Sequence, residues 1–143
     1  MTGGTAGFEV GQVLERVVVE DLTRTQIVQY AGASGDFNPL HTDATYATEV
    51  AGFPGVFAHG MLTMGMTGRV LTDTFGVGAV RRFGGRFQAQ VWPGDTLTVR
   101  AEVVEADPRS LTLALTTSNQ EGVVVFTGTG VVELDRGTGG PVG

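Results

Sequence analysis

The chain has 143 residues, room for one domain and one core but not two, and its 41% hydrophobic and 17% charged composition excludes wholesale disorder. It contains no cysteine, which excludes disulfides, thiolate metal sites and a cysteine nucleophile. A net charge of −6 argues against general nucleic-acid binding, which needs a basic face.

The Gly/Thr-rich residues 1–7 and the tail 135–143 read as flexible ends around a single domain at 8–134. Neither a secretory signal nor a run of roughly 20 apolar residues is found, so no membrane span and a cytoplasmic setting are the expectations. Val13 to Glu20 is dominated by β-branched residues and reads as a strand. Thr23 and Gln26 then form a T-x-x-Q capping box that opens a helix through about Ala33, with Ile27, Tyr30 and Ala31 as its apolar face.

The next run, S-G-D-F-N-P-L-H at 34–41, carries an acid, an amide and an imidazole around one proline. Fully extended, the chain would separate Asp36 from His41 by roughly 17 Å. Bringing them to one small molecule therefore requires a bend. Pro39 fixes its own φ and turns Asn38 away from helix, while Gly35 permits a sharp change of direction. Read from these residues alone, Asp36, Asn38 and Pro39 are turn formers, and His41 is a capping or core histidine.

A short helix is expected around Asp43 to Val50, followed by the loop G-F-P-G-V-F-A at 52–58. Gly60 to about Thr74 reads as the second long helix. Met61, Leu62, Met64, Met66, Val70 and Leu71 cover most of its circumference, which implies a helix inside the core with methionines as filling. Gly65 and Gly68 each lower its intrinsic propensity by about 1 kcal/mol and would let a sheet approach closely.

The C-terminal half changes to period two, with Leu97, Val99, Ala101 and Val103 and then Leu111, Leu113 and Leu115 on alternate positions. Strands are expected at 80–92, 96–106, 111–120 and 123–133, as an antiparallel meander. The fold class is α+β: a curved antiparallel sheet around one apolar helix. A second copy covering the open sheet edge would make a homodimer. Gly84-Gly85 marks a bulge or a tight approach. Arg81, Arg82 and Arg86 form a basic cluster that suits a phosphorylated ligand, an acidic partner, or simply a solvated strand edge. With two histidines, neither in H-x-x-x-H nor H-E-x-x-H spacing, no metal is expected, and no G-x-G-x-x-G suggests a nucleotide cofactor.

Three runs in order, Y-A-G-A-S-G-D-F-N-P-L-H (30–41), A-G-F-P-G-V-F-A-H-G-M-L-T-M-G (51–65) and R-F-Q-A-Q-V-W-P-G-D-T-L (86–97), resemble the MaoC-like dehydratases, or (R)-specific enoyl-thioester hydratases, of the hot-dog fold. The chain is especially similar to the catalytic B-type subunit of the (3R)-hydroxyacyl-acyl-carrier-protein dehydratases. The resemblance implies reversible hydration of trans-2-enoyl thioesters to (3R)-3-hydroxyacyl thioesters, on acyl-CoA or acyl carrier protein. It assigns the water to Asp36 and His41, orientation to Asn38, and the thioester oxygen to the backbone N–H of Gly60. His59, just before that glycine, is either a substrate contact or a packing residue. Two alternatives remain beside it: a hot-dog acyl-thioesterase, and a non-catalytic acyl-binding subunit. Some relatives pair with a second hot-dog subunit, so a heterodimer stands beside the homodimer.

Overall fold

A computed structural model describes residues 7–134; the ends at 1–6 and 135–143 lie outside the described residues. Strand β1 (Val13–Val19) leads to helix α1 (Arg24–Ser34), and a loop with two short helical turns (Pro39–His41 and Tyr46–Val50) leads to helix α2 (Gly60–Phe75). Strands β2 (Val80–Phe87), β3 (Leu97–Ala106), β4 (Ser110–Ser118) and β5 (Val124–Glu133) follow. All five strands join one antiparallel sheet. This is the expected hot-dog arrangement of a sheet around one long helix. Among the described residues no helix is long and apolar enough to cross a membrane.

The capping box closes as the sequence predicts. Gln26 N donates to Thr23 Oγ1 at 3.0 Å and Thr23 N donates to Gln26 Oε1 at 2.9 Å. Ile27 and Ala31 are buried, and α1 stops at Gly35, whose φ of 77° turns the chain into the D-F-N-P-L-H run. Period two in the sheet is equally plain: Leu97, Val99, Ala101 and Val103 on β3, and Leu111, Leu113 and Leu115 on β4, all face the core.

The expected four-strand meander is corrected. Strand order is β1-β3-β4-β5-β2, so β2 lies at the far edge against β5 instead of beside β3. Its length is corrected too, since it ends at Phe87 rather than near residue 92. Gln88 N still donates to Val125 O of β5 at 2.8 Å, and beyond it the chain leaves the sheet for other backbone partners. Ala58 N donates to Val91 O at 2.8 Å, and the buried Asp95 carboxylate takes Trp92 N at 2.9 Å and Gln120 Nε2 at 3.0 Å. That detour ties the loop before α2 to the segment after β2. One wall of a cleft results.

Helix α2 is also corrected. It buries one stripe, Thr63, Thr67, Val70 and Leu71, at i, i+4, i+7 and i+8. The methionines are not its deepest residues: Met61 is 56% exposed, and Met64 and Met66 are half-buried. The sheet covers only one side of the helix within this chain. Threonine is tolerated in the seam because Thr67 Oγ1 reaches Thr63 O at 2.9 Å and Thr117 Oγ1 at 2.6 Å.

Close approach, not a bulge, explains Gly84-Gly85. These residues pair regularly with Thr129 and Gly128, and the register irregularity sits earlier, between Val80 and Arg82. A Cβ on Gly85 would strike the Thr127 carbonyl oxygen and lie 2.5 Å from Phe126 Cζ, whereas one on Gly84 meets nothing within 4 Å. Of the arginines nearby, Arg81 pairs with Glu133 at 2.8 Å, and Arg82 and Arg86 are exposed on this edge strand. Gly85→Ala is expected to lower the unfolding free energy by about 1–3 kcal/mol. Gly84→Ala should stay within about 0.5 kcal/mol of the parent. Urea unfolding of the two variants checks both values.

Candidate active site

The bend that the sequence demands after α1 is a single 3-10 turn at Pro39–His41. Asn38 holds it from outside: its Oδ1 accepts from Leu40 N at 3.0 Å, and its carbonyl accepts from His41 N at 3.1 Å. Asp36 Oδ1 accepts from Asn38 N at 3.3 Å, and Asp36 N donates to Ser34 Oγ at 3.2 Å. The carboxylate of Asp36 stays exposed, while His41 is buried. Asp36 therefore faces solvent from a stiff turn, with His41 beneath it.

His41 is fixed by the loop that precedes α2. Its Nδ1 lies 2.6 Å from the carbonyl oxygen of Phe57. A carbonyl only accepts, so Nδ1 carries the hydrogen and Nε2 is left as the free lone pair of the neutral ring. Phe57 N in turn donates to Leu40 O at 3.4 Å, and the Phe57 ring stands edge-on to the imidazole at 5.2 Å. Sequence reasoning identified this stretch only as a Gly/Pro loop. A backbone carbonyl leaves no mark on residue type, so the group that orients His41 had no signal beyond its place before the helix.

The structure brings Asp36, His41 and His59 together: the carboxylate and one nitrogen of each ring lie within 4.8 Å of one another. These residue types are metal ligands, but their orientation does not fit one ion. The rings are stacked with centroids 3.8 Å apart and planes inclined by 25°. An ion must sit in the plane of each ligating ring at about 2 Å from its nitrogen, which face-to-face rings do not allow. His59 is 2% exposed, sealed behind His41, and its Nε2 meets the carbonyl oxygen of Asp36 at 3.0 Å.

Gly60 opens α2. The side chain of His59 at the N-cap makes no capping bond, and among the described residues no acceptor meets Gly60 N. The first N–H groups of a helix carry its positive end, so an open one is a preformed donor for an oxygen gaining charge. Gly60 borders a cleft of about 280 Å³ whose other walls include Phe57, Thr63, Phe87, Gln88 and Gln90. A Cβ at position 60 would lie 3.1 Å from the Phe87 ring, so a larger residue here would push that ring aside. The sequence did not point to Phe87, which was expected inside a longer strand; it forms the cleft wall because β2 ends there.

Comparison with known proteins follows the same lines. Residues 6–124 match the family described as MaoC like domain. Enoyl-CoA hydratase ChsH3 of Mycobacterium tuberculosis is 38% identical over 101 residues, 68% of this chain and 34% of that protein. The 3-hydroxyacyl-thioester dehydratase Y of the same organism is 44% identical over 68 residues, 46% of this chain and 23% of its own length. The chain thus spans about a third or less of these curated relatives. Among solved structures, R-hydratase PhaJ1 from Pseudomonas aeruginosa has a TM-score of 0.81 at 32% identity, over 90% of this chain and 83% of that one. The (R)-hydratase from A. caviae involved in PHA biosynthesis has a TM-score of 0.80 at 29% identity, over 90% and 98% respectively.

Removing the Asn38 side chain should loosen the turn that links Asp36 to His41. Asn38→Ala is expected to cost about 0.5–2 kcal/mol, the value of a lost cap, with Asn38→Ser recovering most of it; thermal or urea unfolding of the pair measures the difference.

Proposed function

Because the chain belongs to the MaoC-like dehydratase family, we propose that it interconverts trans-2-enoyl and (3R)-3-hydroxyacyl thioesters by adding or removing water. One observation carries this reading: the exposed Asp36 carboxylate and a His41 ring whose Nδ1–H is spent on Phe57 lie on one side, and the open N–H of Gly60 borders the adjoining cleft.

Hydration needs three things at once. A water must lose a proton as its oxygen bonds to C3, C2 must gain a proton, and the thioester oxygen must be stabilised while it takes on enolate charge. Asp36 and the free Nε2 of His41 hold the water between a carboxylate and an imidazole lone pair, two groups able to take or return a proton. One of the pair takes the water proton as the C3–O bond forms, and a proton returns to C2 from the same side, so that one water is added in all. Gly60 N–H donates to the thioester oxygen at the positive end of α2. Asn38 contributes through the turn, and its amide nitrogen is available to the water or substrate. His59 belongs to the site without lining the cleft.

The cleft of about 280 Å³ suits the acyl end of a substrate better than an entire carrier. An exposed apolar side chain lines it, Phe87 at 50%. The carrier is CoA or acyl carrier protein. The reading extends to a cytoplasmic protein whose open strands β1 and β2, each paired on one side only, are covered in a homodimer or in a heterodimer with a related subunit.

A thioesterase would act on the same ligand class, and a binding subunit would leave it intact. Crotonyl-CoA separates the three. Loss of the conjugated enoyl absorbance without free thiol is the expected result; thiol release would mark a thioesterase, and no change a binding subunit. Asp36→Asn and His41→Gln should each slow hydration by about 10²–10⁴-fold while circular dichroism shows both still folded. Near-full turnover in both would exclude the proposed acid/base roles.

A further inference from the structure

His59 occupies the N-cap of α2, where a short oxygen-bearing side chain would normally accept from the helix N–H groups, and it caps nothing. Its ring is directed away from the helix. The Nε2 nitrogen lies 3.0 Å from the carbonyl oxygen of Asp36, so Nε2 carries the hydrogen and donates it. One face lies on the His41 imidazole at 3.8 Å, and Tyr30 of α1 meets the ring edge-on at 4.8 Å. The remaining nitrogen, Nδ1, is buried with no partner among the described residues.

A buried acceptor without a donor is costly, so packing alone would be better served by a phenyl ring of similar size. What histidine adds is the Nε2–H bond, and that bond ends on the main chain of the acid. We infer that His59 is a positioning residue for the Asp36–His41 pair: it fixes the Asp36 backbone by the Nε2–H bond and sets the tilt of His41 by stacking. By turning away from α2 it also leaves the Gly60 amide uncapped. The inference rests on the acid/base roles proposed above for Asp36 and His41. It replaces direct substrate contact with an effect transmitted through two neighbours.

Three chains test it: the parent, His59→Phe and His59→Gln. Phenylalanine keeps the stack and removes the donor; it should be at least as heat-stable as the parent, with kcat on crotonyl-CoA lower by about 10²-fold, the cost of a small misplacement of reacting groups, and KM little changed. Glutamine, whose Nε2 can still donate to the Asp36 carbonyl, should recover much of the rate. The carbonyl ¹³C shift of Asp36 should move in the phenylalanine chain and not in the glutamine chain. Wild-type kcat in His59→Phe, a loss lying in KM, equal losses in both variants, or a phenylalanine chain that fails to fold would each overturn the inference. If the parent itself hydrates nothing, the acid/base reading fails, and the Asp36 shift still decides whether His59 holds that backbone.

Discussion

The hydrogen bond from His41 Nδ1 to the carbonyl of Phe57, 2.6 Å long and largely removed from water, is the contact on which the rest of the site depends. It chooses the tautomer of the imidazole and so decides which nitrogen is left for chemistry. It also joins two segments that the chain keeps sixteen positions apart, the turn after α1 and the loop before α2. Every other feature of the site is attached to one of those segments. Asp36 and Asn38 belong to the first, and His59 and Gly60 follow from the second. Loss of the bond would free His41 to rotate and would untie the turn that carries Asp36 from the loop that leads to Gly60.

The fold exists in the form it does because that loop has to be held against a sheet. Glycine makes this feasible at a few close contacts. Gly60 leaves room for the Phe87 ring, Gly68 for Phe83, and Gly130 for Leu71, so helix and sheet approach more closely than side chains would permit. The segment after β2 then leaves the sheet and bonds the loop through Ala58 and Val91. The cleft is the space between these two irregular stretches. The first turn of α2, with Gly60 and Thr63, and the last residue of β2, Phe87, complete its walls.

Much of this was legible in residues whose effect is local. The Thr23–Gln26 box, the period-two strands at 97–103 and 111–115, and the stop at Gly35 each act through neighbours a few positions away, and each forms as expected. The proximity of Asp36 and His41 was legible because Pro39 constrains it within one turn. What was not legible depends on distant backbone. Nothing in residues 80–87 states that β2 pairs with β5 rather than with β3, because antiparallel neighbours with similar patterns compete until the loops decide. The apolar circumference of α2 suggested burial on all sides, yet only four of its residues are buried and two of them are Thr63 and Thr67, where Thr117 can satisfy one of them across the core. The partner of His41 is a carbonyl oxygen, which every residue possesses. His59 was noticed beside Gly60, but that its ring serves Asp36 and His41 could be seen only once those two were in place.

Asp36, His41 and the Gly60 amide are taken to act on one water and one thioester from a single side, and the stereochemistry of the product reports this most directly. Crotonyl-CoA incubated with the protein in D₂O and followed by NMR should give (3R)-3-hydroxybutyryl-CoA with one deuterium at C2, on the same face as the new hydroxyl. The opposite configuration at C3, deuterium on both faces of C2, or release of free CoA without hydroxyacyl product would contradict the account.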